Sequence, residues 1–219
     1  MSGPPDEALP DHDGLGAAIE NAAFVMALRG RGTRDTAVLR AMEQVPRARF
    51  APAAHRHLAQ RDLALPLPCG ASMTAPSTVA TMLALLRVEA GMQVLEIGTG
   101  SGYVTALLLQ LGAGGVTSLE RYATLADAAR RTLGDARAVI RQDDGLAEAA
   151  GSFDRILVHG RVAAPPPAWS AALRPDGRLV AGSGDGRLLA VARTASGLRT
   201  EAGPALRLAP LVPGRARVL

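Results

Sequence analysis

At Val94-Leu95-Glu96-Ile97-Gly98-Thr99-Gly100-Ser101-Gly102 an apolar run passes directly into alternating glycines, and residues 103–111 follow with helical spacing. Glycines in such a turn accept positive φ and let a ligand approach the backbone. The helix start then offers unpaired N–H groups to a polar or anionic ligand. A strand feeding a helix in this way recurs down the chain. Strands are predicted at 93–97, 115–120, 138–142 and 153–158, with helices at 103–111 and 122–133 between them. A proline-started helix at 165–173 and strands at 178–182 and 187–194 follow, the last two joined by Gly184-Asp185-Gly186. Repeated strand–helix units place parallel strands side by side with helices on both faces. The predicted class is α/β: a Rossmann-like, mostly parallel central sheet with an N-terminal helical extension.

In that extension Leu15, Ile19, Ala22, Ala23 and Met26 recur at helical spacing. A second helix over 34–43, capped by Thr33, presents Val38, Leu39 and Met42 on one face. Pro76 opens a third helix reaching Leu86. Residues 51–75 hold Pro52, Pro66, Pro68 and Gly70 and read as one long irregular segment, a length that usually signals function. The first 28 residues carry five acids and no arginine, and 1–14 read as a disordered acidic tail. The expected organisation is a single domain over 15–219. Residues 15–90 form its helical and loop segment and 91–219 its ligand-binding core. A chain of 219 residues can bury such a core without staples.

Composition narrows the function. The net charge of +4 rests on 24 basic residues, all arginine, a usage that fits a GC-rich coding sequence better than a nucleic-acid partner. Aromatic residues make up 3%, which leaves few platforms for stacking bases. Cys69 stands alone, so a disulfide framework and a cysteine zinc site are excluded, and no metal is expected. No apolar run reaches membrane-spanning length, and the start lacks the pattern of a secretory signal. A cytoplasmic monomer with no membrane partner is expected.

The spacing G-x-G-x-G excludes two ligand classes. The dinucleotide fingerprint needs a glycine or alanine where Tyr103 or Thr105 stands, and a phosphate-cradling loop needs Gly-Lys-Ser/Thr. With Glu96 ahead of the glycines, the stretch resembles motif I of S-adenosylmethionine-dependent methyltransferases. That resemblance implies a cofactor set of Glu96, Gly98, Thr99, Gly100, Ser101 and Gly102. Glu120, 24 residues after Glu96 at the end of the second strand, would take the ribose hydroxyls, with Arg121 beside it. Asp144 and Gly145 would meet the adenine amine, and Asp154 would open the fourth strand near the methyl-transfer face. Taken singly, Glu120 reads equally as a surface acid and Asp144 as a turn residue.

Longer stretches resemble the protein-L-isoaspartate O-methyltransferases. They are Val38 to Phe50 with Val45-Pro46-Arg47, Leu65 to Pro76, Val94 to Tyr103 with Ser118-Leu119-Glu120-Arg121, Asp143-Asp144-Gly145, Phe153 to Val158, Leu173 to Val180, and Leu206 to Leu211, which resembles a closing strand. The resemblance implies repair: methylation of the stray α-carboxylate of isoaspartyl residues in damaged proteins or peptides. It implies Thr74 as the active-site hydroxyl, with Ala75 and Pro76 orienting the carboxylate and Leu208 and Ala209 pairing with the substrate backbone. The chain departs from the family's L-P-I-G-x-G-Q-T-I-S-A-P, reading Leu65-Pro66-Leu67-Pro68-Cys69-Gly70-Ala71-Ser72-Met73-Thr74-Ala75-Pro76. His159-Gly160-Arg161 replaces a segment of small residues. His159 reads as a possible base, or more simply as a histidine bonded to nearby backbone. His55, Arg56, His57 and Arg61 with Arg49 read as a basic rim or a solvated face. Two other functions stay open: transfer to a different acceptor, and cofactor binding without transfer.

Overall fold

In the computed structural model, which describes residues 12–147 and 149–218, the chain opens with α1 (His12–Gly30). This helix already includes residues 12–14, expected as tail, while residues 1–11 lie outside the described part. α2 (Thr36–Gln44) is capped by Asp35, whose Oδ1 accepts from Val38 N at 3.0 Å. The expected cap, Thr33, is engaged elsewhere. Its amide donates to Leu28 O at 3.1 Å and closes the end of α1. Residues 51–75 are more ordered than an irregular loop. They contain a short 3-10 helix at Ala53–Leu58 and a small hairpin of β1 (Leu65–Pro66) and β2 (Ser72–Met73). α3 (Pro76–Leu86) follows with proline in its first turn, where the missing N–H costs no hydrogen bond.

From there strands and helices alternate as β3 (Gln93–Ile97), α4 (Tyr103–Gln110), β4 (Gly115–Glu120), α5 (Ala123–Leu133), β5 (Ala138–Gln142), β6 (Phe153–Val162), α6 (Pro167–Ala171), β7 (Leu173–Ser183), β8 (Arg187–Thr194) and β9 (Gly197–Ala205). The sheet order is β5-β4-β3-β6-β7-β8-β9, parallel from β5 to β7 and antiparallel thereafter. The chain leaves β3 in one direction, through β4 to β5, and returns to β6 on the other side of β3. At such a reversal, connections diverge above the carboxyl ends of the strands and leave a crevice. β9 has no counterpart in the expected elements. It is an edge strand, exposed along nearly its whole length, and carries Gly203 and Pro204 without apolar alternation. β6 and β7 also run longer than expected, and α6 is shorter.

The period of two along each central strand sorts its apolar residues into two cores. Val94, Val116, Leu157 and Val180 face α1 to α4. Ile140, on the same side of the sheet, packs beneath Ala126 and Ala129 of α5. Leu95, Ile97, Ile156, Val158, Leu179 and Ala181 face the opposite side, where Trp169 of α6 is fully buried. Trp169 Nε1 donates to Gly145 O at 2.7 Å, which ties that core to the turn after β5. Trp169→Phe removes this donor and strands a buried carbonyl. A loss of about 1–3 kcal/mol in urea unfolding is expected, while Leu198→Ala on exposed β9 stays within about 0.5 kcal/mol.

Candidate active site

A cavity of about 320 Å³ lies over the carboxyl ends of β3, β4 and β6 and the turn after β5. It is roofed by two segments, 69–79 and 207–212. Of the residues expected in a site, Thr74, Ala75, Gly98, Thr99, Gly100, Ser101, Glu120, Arg121, Asp144, Gly145, Leu208 and Ala209 all border this one cavity. Glu96, Gly102 and Pro76 do not. Glu96 is wholly buried one residue short of the strand end. Gly102 sits behind the turn at φ 82°, where a Cβ would come within 3.2 Å of Ala129 Cβ. Pro76 is buried in the first turn of α3.

The glycine turn is held from below. Gly98 adopts φ 95°, and a Cβ there would stand 3.1 Å from His159 Cβ. Glu120 pins the turn to the end of β4. Its Oε2 accepts from Gly100 N at 2.9 Å and its Oε1 from Tyr122 N at 3.0 Å. Burial pushes the Glu120 carboxyl above its ordinary pKa, and these amides offset part of the shift. With backbone amides as its partners, the carboxylate keeps acceptor capacity toward the cavity.

Asp144 serves two partners. Oδ1 accepts from Leu146 N at 3.0 Å and Oδ2 from Gly214 N at 2.7 Å. Arg121, at the cavity edge, donates to Gly214 O at 3.0 Å and lies over the Tyr122 ring. The C-terminal segment is therefore bound down beside the site, where Gln142 Nε2 also donates to Ala216 O at 2.9 Å. Leu208 and Ala209 belong to this segment. They form no strand, and Arg161 N already donates to Ala209 O at 2.9 Å, so that carbonyl is not free for a substrate chain.

The roof over Thr74 hangs on a residue whose role had no local signature. Arg47 is buried, and its guanidinium donates to Ala59 O (2.8 Å), Leu63 O (3.1 Å), Thr74 O (3.1 Å) and Met73 O (3.4 Å). One cation thus gathers the carbonyls of two chain segments and fixes the backbone that carries the Thr74 hydroxyl. Thr74 is not the helix cap. Asp62, distant in sequence, accepts from Ser77 N at 2.8 Å at the start of α3.

Three further expectations change. Asp154 opens β6 at the end remote from the cavity, where Oδ2 accepts from Gln93 N at 2.7 Å and pairs with Arg174 at 2.8 Å. His159 bonds to a side chain rather than to backbone: Nε2 lies 3.1 Å from Glu96 Oε1. His55, Arg56, His57, Arg61 and Arg49 lie off the cavity wall and form no rim to it. Cys69, at φ 61°, borders the cavity with Sγ 3.3 Å from Thr124 Oγ1. Among the described residues there is no acidic, histidine or cysteine cluster able to hold a metal ion, and no helix is long and apolar enough to cross a membrane.

Two outcomes test these assignments. Arg47→Ala removes the donor shared by the buried Ala59 and Met73 carbonyls and the part-buried Leu63 and Thr74 carbonyls and is expected to cost about 2–5 kcal/mol in denaturant unfolding. The raised pKa of Glu120 favours its protonated form in the folded state. Its contribution to stability is therefore full below the ordinary carboxylate value near 4.5 and is lost as pH rises through the shifted value. In thermal melts of ligand-free protein, wild type is expected to lose ground against Glu120→Gln as pH rises through that window.

Comparison with known proteins places this geometry in a lineage. The family described as Protein-L-isoaspartate(D-aspartate) O-methyltransferase (PCMT) matches residues 19–200. A Rhodopseudomonas palustris protein called Protein-L-isoaspartate O-methyltransferase 2 is 44% identical over 91% of this chain and 96% of its own. A Bradyrhizobium protein-L-isoaspartate O-methyltransferase is 39% identical over 91% and 97%. Among solved structures, a Plasmodium falciparum chain described as a protein-L-isoaspartate O-methyltransferase, in complex with S-adenosyl-L-homocysteine, superposes with a TM-score of 0.76. It is 20% identical and covers 87% of this chain and 97% of its own, a likeness of fold. Across nearly its whole length, then, the chain belongs to the protein-L-isoaspartate O-methyltransferase family.

Proposed function

We propose that this protein transfers a methyl group from S-adenosylmethionine to the α-carboxylate of L-isoaspartyl residues in damaged proteins or peptides, the first step of their repair. The observation that carries the reading is a single cavity with the glycine turn, Glu120 and Asp144 as its floor and the Thr74 segment as its roof. These residues fit the cofactor. Gly98 and Gly100 add no side chain of their own to the turn, Glu120 offers a carboxylate to a diol, and Gly145 adds no bulk beside Asp144. Family membership supports the same acceptor.

When bound, S-adenosylmethionine supplies an electrophilic methyl group on a sulfonium that departs as a neutral thioether. An acceptor carboxylate is ionised at neutral pH, so no residue needs to remove a proton from it. The protein's part is to position and dehydrate. Glu120 would accept from the ribose hydroxyls, and the turn after β5 would hold the base. Thr74 donates its hydroxyl to one oxygen of the acceptor carboxylate and leaves the other to attack. Arg47 holds Thr74 in place from outside the cavity. In this reading residues 15–219 work as one domain, in a cytoplasmic monomer that acts on proteins rather than on nucleic acid or membrane.

The test is methyl transfer from labelled S-adenosylmethionine to a short isoaspartyl peptide, beside the same peptide with ordinary aspartate. Base-labile label on the isoaspartyl peptide alone is expected. Thr74→Val should lower kcat/KM about tenfold, the effect of one lost hydrogen bond to a charged group. Tight cofactor binding with no label on either peptide would overturn the acceptor assignment.

A further inference from the structure

Glu96 is a fully buried carboxylate whose partners among the described residues are hydroxyls and one imidazole. Oε2 accepts from Thr105 Oγ1 of α4 and, at 2.7 Å, from Ser118 Oγ of β4. Oε1 lies 3.1 Å from His159 Nε2. An ionised carboxylate only accepts, so the proton of a neutral His159 must sit on Nε2. That leaves Nδ1 with a lone pair. Among the described residues no protein group bonds it, and His159 borders the cavity with its side chain 9% exposed. In its neutral form His159 is thus a hydrogen-bond acceptor of fixed tautomer in the wall of the site, in a segment where the family pattern that the sequence resembles has small residues.

What meets that acceptor follows from strand order, and rests on the function proposed above. Asp144 follows β5, Glu120 ends β4, Gly98 follows β3 and His159 lies in β6, so they stand in a row across neighbouring parallel strands. Strands in a sheet are about 4.8 Å apart, which puts β6 roughly 10 Å beyond β4. S-adenosylmethionine is itself a row: adenine, ribose, sulfonium, amino acid. With adenine at Asp144 and ribose at Glu120, the amino acid end lies over Gly98 and reaches His159. That end carries a carboxylate and an ammonium, and a nitrogen that only accepts takes the ammonium. We infer that His159 binds the α-ammonium of the cofactor through Nδ1, and that Glu96 is the positioning residue that holds it in the accepting tautomer. The charged groups that share this environment are Glu96 from β3, Glu120 and Arg121 at the end of β4, Asp143 and Asp144 after β5, and Arg207 from the roof.

The test compares calorimetric binding of S-adenosylhomocysteine with that of its analogue lacking the α-amino group. His159→Thr is expected to weaken S-adenosylhomocysteine about tenfold or more and to leave the deamino analogue unchanged. Glu96→Gln, where nitrogen-15 shifts of the ring show the imidazole proton moved to Nδ1, should produce the same selective loss without touching the ligand. Equal losses for both ligands, or none, overturn the inference. Should either variant fail to fold, nitrogen-15 NMR of wild-type His159 decides. Saturation with S-adenosylhomocysteine should lower the pH at which the ring takes up its second proton, and an unmoved titration overturns the inference. Wild-type protein that binds neither ligand would overturn the methyltransferase reading itself, a separate result.

Discussion

A fully buried carboxyl group organises the centre of this protein. Taking an ionised carboxylate out of water costs several kcal/mol unless every lone pair finds a donor. Glu96 lies inside the sheet face that packs on α4, and its donors come from α4, β4 and β6, the elements that flank β3. Each must be in register for the carboxylate to be satisfied. The strand order reverses at β3, so the requirement that Glu96 imposes falls where the crevice forms. Apolar packing alone sets which face each strand presents. The buried acid also fixes how far the strands slide past one another.

Arg47 repeats the principle with the sign reversed. Its guanidinium is met by carbonyl dipoles of residues 59–63 and 73–74. Floor and roof of the cavity thus each depend on one buried ionisable side chain held by hydrogen bonds from several elements. The one in the floor gathers secondary-structure elements, and the one in the roof gathers loops with little regular structure of their own. The C-terminal segment completes the enclosure through Asp144, Arg121 and Gln142, which hold Gly214 and Ala216.

Sequence reading succeeds here where information is local. The turn at Gly98 to Gly102, the acid ending β4 and the Asp144-Gly145 turn each carry their own signature, and all are found at the carboxyl end of the sheet. Asp154 shows the limit. Its place in the sequence beside β6 was legible, but it begins the strand, and in a parallel sheet beginnings and ends lie on opposite sides of the molecule. Arg47 makes bonds to carbonyls 12 to 27 residues away, and Asp62 caps a helix 15 residues on, so neither partnership has a pattern. The pairing of His159 with Glu96 spans 63 residues and exists only once β3 and β6 lie side by side. β9 escapes because an exposed edge strand needs no apolar alternation.

Cys69 gives the molecule an optical property that its chemistry does not require. It is the sole thiol of the chain, half-buried at the lip of the cavity, and it bridges the roof segment to the start of α5 through Thr124. Its left-handed backbone ties the side chain's direction to the conformation of the roof. A thiol-directed fluorophore therefore attaches at one position without any engineered residue. Its emission reports on the surroundings of the roof segment, with the rest of the arginine-rich, lysine-free surface left unlabelled.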